Sequence, residues 1–254
     1  MRPSDLTDCL DSICVKSKMA TLHHSIVFLH FQHDLQLKTS PQLNTVLKRV
    51  SQIKGWDYTC FGKVLSHWEK VLVIIGWQDN GGTQTQTQDF WSTLGAQLAT
   101  EPTIINLLIS LQWSTLITPY LIELNFLRGS PELVRPEQWI ENVAVLCQRT
   151  VPSPDHEPPD ALVGCQGGVA RNGDQDSETT VVLLWRWTST EARQTFVDPL
   201  QESLGGSTQY ADLVGKPLKA ATEAGAQLEK VDVKFERWRP KQNSQHEKTS
   251  YLVQ

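Results

Sequence analysis

One pattern occurs twice in this chain: a short apolar run that ends in tryptophan, followed by a helix that carries an aromatic residue. The first copy is Val71-Leu72-Val73-Ile74-Ile75-Gly76-Trp77, with Phe90 and Leu94 after a polar stretch. The second is Val181-Val182-Leu183-Leu184-Trp185-Arg186-Trp187, with Phe196 and Leu200 after it. The spacing is far too long for a solenoid repeat. It predicts two copies of one small domain in a single chain, and that limits both the fold and the kind of site it can carry.

The elements around the two copies can be read in order. Ser25 to Gln32 has the apolar and aromatic content of a strand. Ser40 can cap a helix with Pro41 in its first turn, where Leu43, Val46, Leu47, Val50 and Ile53 form one apolar face. Tyr58–Ser66 and Lys70–Trp77 read as two strands, 89–98 as a helix, Thr103–Leu111 as a short apolar helix opened by Pro102, and Tyr120–Leu127 as a closing strand. That order is the split β-α-β plan of a ferredoxin-like domain. Gly129–Glu137 is read as a linker, because Gly and two Pro interrupt any element. Trp139–Arg149 is then expected as the first strand of the second half. The four prolines within 151–160 exclude a helix there. Ala161–Ala170 and Thr180–Trp187 follow as strands, Thr188 with Glu191 as a capping box, Gln209–Gln227 as a helix kinked at Pro217, and Val231–Trp238 as the last strand. The resulting division is 1–24 a weakly ordered leader, 25–129 the first ferredoxin-like repeat, 130–137 a linker, 138–240 the second repeat and 241–254 a polar tail.

Composition removes several classes of function. With 254 residues and 39% apolar content the chain can build a proper core. Its net charge of −5 offers no clustered basic face for nucleic acid. No apolar run approaches the roughly 20 residues that a membrane span needs. The five cysteines, Cys9, Cys14, Cys60, Cys147 and Cys165, are scattered without a CxxC pair. They support neither a disulfide framework nor a zinc site, so a reducing, cytoplasmic setting is expected. His23-His24 lacks a third ligand at useful spacing. Gly164–Gly168 lacks GxGxxG spacing and reads as a bulged strand. Tryptophan is abundant, at nine; such residues fill cores or line pockets for flat apolar ligands.

A four-stranded sheet with helices on one face leaves its other face bare, and two such sheets can close on each other. At this point Val71–Trp77 with Phe90, Val181–Trp187 with Phe196, and the strands 122–128 and 232–239 carry a resemblance. The chain resembles the dimeric α+β barrel superfamily, in the branch of fungal antibiotic-biosynthesis monooxygenase-like proteins, over residues 24–240. The implied fold is α+β: two tandem ferredoxin-like βαββαβ repeats closing into an intramolecular dimeric-type α+β barrel. The resemblance also implies a range of activities, from cofactor-free oxygenases acting on polycyclic phenols and haem-degrading enzymes to dehydratases, cyclases and isomerases of secondary metabolism.

The barrel interior is the expected ligand cavity, and polar residues on apolar strands are the candidate site. His30 shares its parity with Ile26 and Phe28; it is either a base for a phenolic or enolic proton or a core histidine bonded to the backbone. Aligning 126–128 with 237–239 sets Glu123 against Lys234 and Asn125 against Glu236. These four are either acid, base and orienting groups or a solvated face. Arg186 interrupts an apolar strand and must find a carboxylate or an opening; it would hold an enolate or bridge to Glu236 or Asp232. Trp77, Trp185 and Trp187 are the expected stacking wall, and Cys165 reads as a core residue rather than a nucleophile. His30, Arg186, Lys234 and Glu236 are thus the candidate catalytic residues, with Glu123, Asn125 and the three tryptophans as ligand contacts. No metal or cofactor is expected. The expected partner is a small apolar or aromatic molecule, and pairing of two chains through their helical faces stays open. The function read from this is a cofactor-independent enzyme of natural-product metabolism that abstracts a proton from a polyketide- or terpenoid-like molecule. A non-catalytic carrier of the same fold is the alternative.

Overall fold

A computed structural model describes residues 23–33, 40–78, 89–108, 116–117, 119–150, 162–170, 178–197 and 208–239, with backbone only for 108, 147–150 and 208. The elements in chain order are β1 (His23–His30), α1 (Pro41–Val50), β2 (Trp56–Val64), β3 (His67–Trp77), α2 (89–92), β4 (Thr103–Leu108), β5 (Leu121–Gly129), α3 (Pro131–Val134), α4 (Pro136–Thr150), β6 (Leu162–Ala170), β7 (Thr179–Trp187), α5 (Thr190–Val197), α6 (208–223), β8 (Gln227–Val233) and β9 (Glu236–Trp238). The expected leader, apart from His23 and His24, and the expected tail 241–254 lie outside the described residues, as does the proline-rich 151–160.

The strands run β3-β1-β4-β6-β7-β5-β8-β2, and β2 pairs back to β3, so eight strands close into a barrel. All pairings are antiparallel. The order β2-β3-β1-β4 recurs as β6-β7-β5-β8, which is the ferredoxin-like order in each half. The two sheets join edge to edge through β4–β6 and β2–β8, and β9 continues the line of β8 along β2.

Three elements differ from the sequence reading. Thr103–Leu108 is a strand, not a helix: its register against β1 runs from Thr103↔Phe28 to Leu108↔His23. It is the strand that completes the first half's sheet. Leu121–Gly129 lies between β7 and β8 in the second sheet. Pro136–Thr150 is a 15-residue helix, not a strand, and it is the first long helix of the second half. Residues 130–137 are not a plain linker either, since they hold α3 and the start of α4, with Arg135 at φ 49° turning the chain between them.

Alternation sorts every strand into two faces. Ile26, Leu72, Ile74, Ile105, Ile122, Leu124, Phe126, Val182, Leu184, Val231 and Val233 point into the barrel and pack as one apolar cluster. Phe28 meets Phe126 edge-on at 5.0 Å between ring centroids. Leu116, fully buried, packs on this cluster from the chain between β4 and β5. The opposite faces pack under helices. Val27, Leu29, Val71, Val73, Ile75 and Trp77 lie beneath α1, whose Leu43, Val46, Leu47 and Val50 are buried. Helix α1 starts as its residues dictate, with Ser40 capping Leu43 N–H and Pro41 in the first turn. In the second half Leu127, Val181, Leu183, Trp185 and Trp187 pack beneath α4, α5 and α6 through Trp139, Val143, Phe196, Tyr210 and Leu218. Helix α5 is capped by Ser189 rather than Thr188; Ser189 Oγ accepts from Ala192 N–H. No helix among the described residues is long and apolar enough to cross a membrane.

Candidate functional site

The described residues that face into the barrel pack against one another as one apolar cluster. A cavity of ≈ 540 Å³ lies outside the barrel, between the second sheet and helices α5 and α6. The same strand pattern that lines the barrel builds this cavity, because β5 and β8 turn alternate residues to the helical layer. On β5 those are Glu123 and Asn125; on β8, Lys230 and Asp232, which pair with Asn125 and Glu123 across the ladder. Helix α5 brings Arg193, and α6 brings Tyr210 and Leu218.

Glu123 is the centre of the arrangement. It is only 4% exposed. Trp187 Nε1 donates to its Oε2 at 2.9 Å, and Arg193 Nη1 donates to the same oxygen at 3.2 Å. Both bonds fall on one oxygen, so Oε1 has no hydrogen-bond partner among the described residues, in a side chain that lines the cavity. Arg193 Nη1 also donates to Asp232 Oδ1 at 2.7 Å. The other guanidinium nitrogens carry no bond to a described residue, which leaves donors for an incoming oxygen. Burial by itself would lower the pKa of Arg193, but the hydrogen bond to Asp232 and the charges of Glu123 and Asp232 outweigh it and hold the pKa above its ordinary value. The pKa of Tyr210 is raised as well: burial first, then the charge of Glu123, keep its hydroxyl protonated.

The helix that presents Tyr210 is irregular. Ala211–Gly215 is a π turn within α6, and Tyr210 and Gly215 both line the cavity. π turns often occur where a helix has been reshaped around a site. Asn142 of α4 donates to the Leu213 carbonyl at 2.7 Å and fixes this turn to the neighbouring helix.

The predicted site residues are dispersed. Glu123 and Trp187 meet as described. Asn125 lies two residues along the same face, fully buried, with neither amide atom hydrogen-bonded. Trp185 lies beside Trp187, with ring centroids 6.3 Å apart, and its Nε1 has no partner. Both tryptophans face the helices, not the barrel. Trp77 does the same in the first half, where its Nε1 donates to Ser25 Oγ at 3.0 Å. His30 ends β1 on the barrel side, half-buried, opposite Lys70. Arg186 also faces the barrel and forms none of the bridges expected of it. Asp232 is taken by Arg193, Arg186 Nε is unpartnered, and the guanidinium rests over Gly164. Lys234 and Glu236 are exposed, and their alignment with Glu123 and Asn125 is overturned, since β5 and β8 are neighbours in one sheet. Cys165 is buried and donates to the Val143 carbonyl. His24 shares a 2.8 Å hydrogen bond with Tyr58, and no group of three potential metal ligands occurs among the described residues. Sequence reading missed Arg193 and Tyr210 as site residues. Their signal was only that α5 and α6 follow β7 directly, which sets both over its helical face.

A scan against family models finds no match, and a search of curated proteins finds none either. Solved structures do resemble the chain. An anthrone oxidase-like protein superposes with a TM-score of 0.53 at 9% identity, covering 85% of this chain and 93% of that one. The fold is the ferredoxin-like α+β barrel. A monooxygenase candidate from Lactobacillus acidophilus NCFM gives a TM-score of 0.48 at 13% identity, over 85% and 94% of the two chains. A chlorite dismutase candidate gives 0.48 at 10% identity, over 84% and 94%. At 9% identity the first of these likenesses shows the architecture alone and leaves the chemistry to the residues of the site.

Proposed function

We propose that this chain is an enzyme that removes a proton from a weakly acidic O–H or C–H of a polyketide- or terpenoid-like small molecule, without a resident cofactor. The observation that carries this reading is Glu123: a buried carboxylate with one oxygen fixed by Trp187 and Arg193 and the other unengaged at a cavity wall. Oε1 takes the proton. The electron pair left behind becomes an enolate or phenolate, and the unbonded nitrogens of Arg193 hold its oxygen, with Lys230 adding positive charge from the wall. Because the guanidinium is already bonded to Glu123 and Asp232, it needs little reorganisation when that charge appears. Oxygenation, cyclisation, isomerisation and dehydration all begin from such an anion. The likeness to an anthrone oxidase-like protein favours a fused-ring phenolic substrate. We read the chain as two fused copies of one module, with a natural-product role. We read its setting as cytoplasmic, since the scattered cysteines of the sequence offer no disulfide framework.

The test is Glu123→Gln. The amide keeps a carbonyl oxygen for Trp187 and Arg193 but cannot take a proton. Turnover of a cyclic enolisable substrate should fall by about 10²–10⁴-fold, the usual worth of a general base, while binding changes by less than tenfold. Unchanged turnover in Glu123→Gln would sink the proposal. Tight binding with no turnover in the wild-type chain would instead assign the cavity to a carrier.

A further inference from the structure

The cavity in the second half is closed on one side by the first half. Ser66, at the tip of the β2–β3 hairpin, is one of its lining residues. The tip is tied down: Leu65 N–H donates to the Asp232 carbonyl at 2.8 Å, on the strand that carries the site carboxylate. The hairpin is also irregular. Val64 pairs with His67, but Lys63 pairs with Val71, so Trp68, Glu69 and Lys70 form a bulge on β3. His67 Nδ1 lies 3.3 Å from Oε1 of Glu69 at this bulge.

The tip has an unusual surface. Among the described residues Leu65 and Trp68 are the large apolar side chains left exposed, at 54% and 57%. The other described tryptophans are buried or partly buried. Exposing two such groups costs solubility and gains nothing for the fold. Ser66, which lies between them in the chain, lines the cavity, and that cavity carries a cluster of charged side chains beside its apolar ones. Glu123, Asp232, Arg193, Lys230 and Lys219 line it, so it suits the oxygen-bearing end of a ligand better than an extended ring body.

From this we infer that Leu65 and Trp68 form an apolar lip, supplied by the first half, that holds the ring body of a fused-ring ligand whose acidic oxygen reaches Arg193 in the second half. The inference rests on the proposed pocket and adds to it. The ligand is longer than one ring, it bridges both halves, and Trp68 sets that preference by stacking. The lip is preorganised, because the Leu65–Asp232 hydrogen bond fixes the hairpin before any ligand arrives.

The experiment is a pair of equilibrium titrations on the full chain, with alizarin as a fused three-ring phenol and salicylate as a one-ring phenol. Trp68→Ala should weaken alizarin by about tenfold, the measure of one aromatic stacking contact. It should alter salicylate by less than twofold, and Trp68→Phe should restore most of the loss. Arg193→Leu should weaken both ligands. Alizarin that binds through Arg193 but ignores both Trp68→Ala and Leu65→Ser would overturn the lip and leave the pocket standing. If neither phenol binds, or if Arg193→Leu changes neither, the pocket fails and the lip with it. A sedimentation run on the same variants covers the remaining explanation. If Trp68→Ala turns a dimer into a monomer without affecting alizarin, the surface is a protein contact and the inference is overturned.

Discussion

Replacing Arg193 by leucine tests the electrostatic logic of the site directly. In the folded chain Arg193 is 20% exposed, Glu123 5% and Asp232 28%, counted on side chains. Exposed ion pairs contribute about 0–1 kcal/mol, whereas removing one partner of a fully buried pair costs about 3–5 kcal/mol. A cluster with one buried carboxylate and a partly exposed guanidinium falls between, so Arg193→Leu should cost about 2 kcal/mol at pH 7. For a chain of this length that is about 4–8 °C in Tm. The loss is not the bond energy; it is the penalty of leaving Glu123 charged and buried with only the Trp187 indole as a donor. Neutralising the carboxylate should therefore recover about half of it. Arg193→Leu/Glu123→Gln is expected to lie about 1 kcal/mol below wild type, a coupling that a double-mutant cycle by denaturant titration resolves. The raised pKa of Arg193 sets the conditions. While the carboxylates are ionised, the guanidinium's contribution is fully present below the ordinary arginine range and is lost as it deprotonates in strong alkali, so neutral pH reads its whole value. A loss below 0.5 kcal/mol in Arg193→Leu, or no recovery in the double variant, would refute the view of Glu123 as a carboxylate held in place by its cation.

Other outcomes follow from named contacts. A methyl group on Gly76 would collide with the Tyr58 ring, which is fixed by His24, so Gly76→Ala should cost about 3 kcal/mol; Gly164→Ala meets only the flexible end of Arg186 and should cost about 1 kcal/mol or less. Burial pushes the Cys60 thiol from 9.0 up to about 12 despite the nearby Arg237 charge. Between those values the unfolded chain gives up a proton that the folded chain keeps, so stability should fall with rising pH by up to about 1.4 kcal/mol per unit, a slope that Cys60→Ala removes. Asn125→Leu should stabilise the unliganded chain by about 1 kcal/mol in thermal unfolding, because it replaces a buried amide with no partners, and should weaken phenol binding if that amide meets the ligand.

The parts of the fold that could be read from the sequence are those where local chemistry and tertiary packing agree. Ser40-Pro41 and the Leu43, Val46, Leu47 and Val50 spacing give α1 both a start and a face. The apolar runs of β3 (Val71–Ile75) and β7 (Val181–Leu184), each closed by Trp, read as strands. The errors began at Thr103–Leu108, a short apolar run after a proline, where length and periodicity do not separate strand from helix. Its Ile104-Ile105 pair favours a strand, but Pro102 looked like a helix start. Taking it as a helix made Leu121–Gly129 the closing strand, and that in turn forced Pro136–Thr150 to serve as a strand. Yet Trp139, Val143 and Leu146, all buried, are spaced as one face of a helix. The parity of Glu123 and Asn125 was read correctly from β5, but parity does not say which face meets helices and which meets the barrel. Arg193 lies 70 residues from Glu123 along the chain, and no local pattern announces that contact.

The strongest argument for function comes from comparing the halves at matching register. Trp77 pairs with His23 as Trp187 pairs with Leu121, so Ser25 corresponds to Glu123; Ser25 pairs with Asn106 as Glu123 pairs with Asp232. In both halves an indole at the end of the third strand donates to the first strand. In the first half its acceptor is Ser25 Oγ, which passes its own proton to Asn106 Oδ1 at 2.9 Å. That neutral chain satisfies the buried tryptophan completely, and the fold stands on it. The second half meets the same structural need with two carboxylates and a guanidinium beside a cavity. A serine and an asparagine suffice to satisfy the indole, so the charges of Glu123, Arg193 and Asp232 exceed what folding asks of these positions. Charge kept at a desolvation cost where a neutral pair holds the same frame is the physical ground on which we propose that this site acts on a ligand.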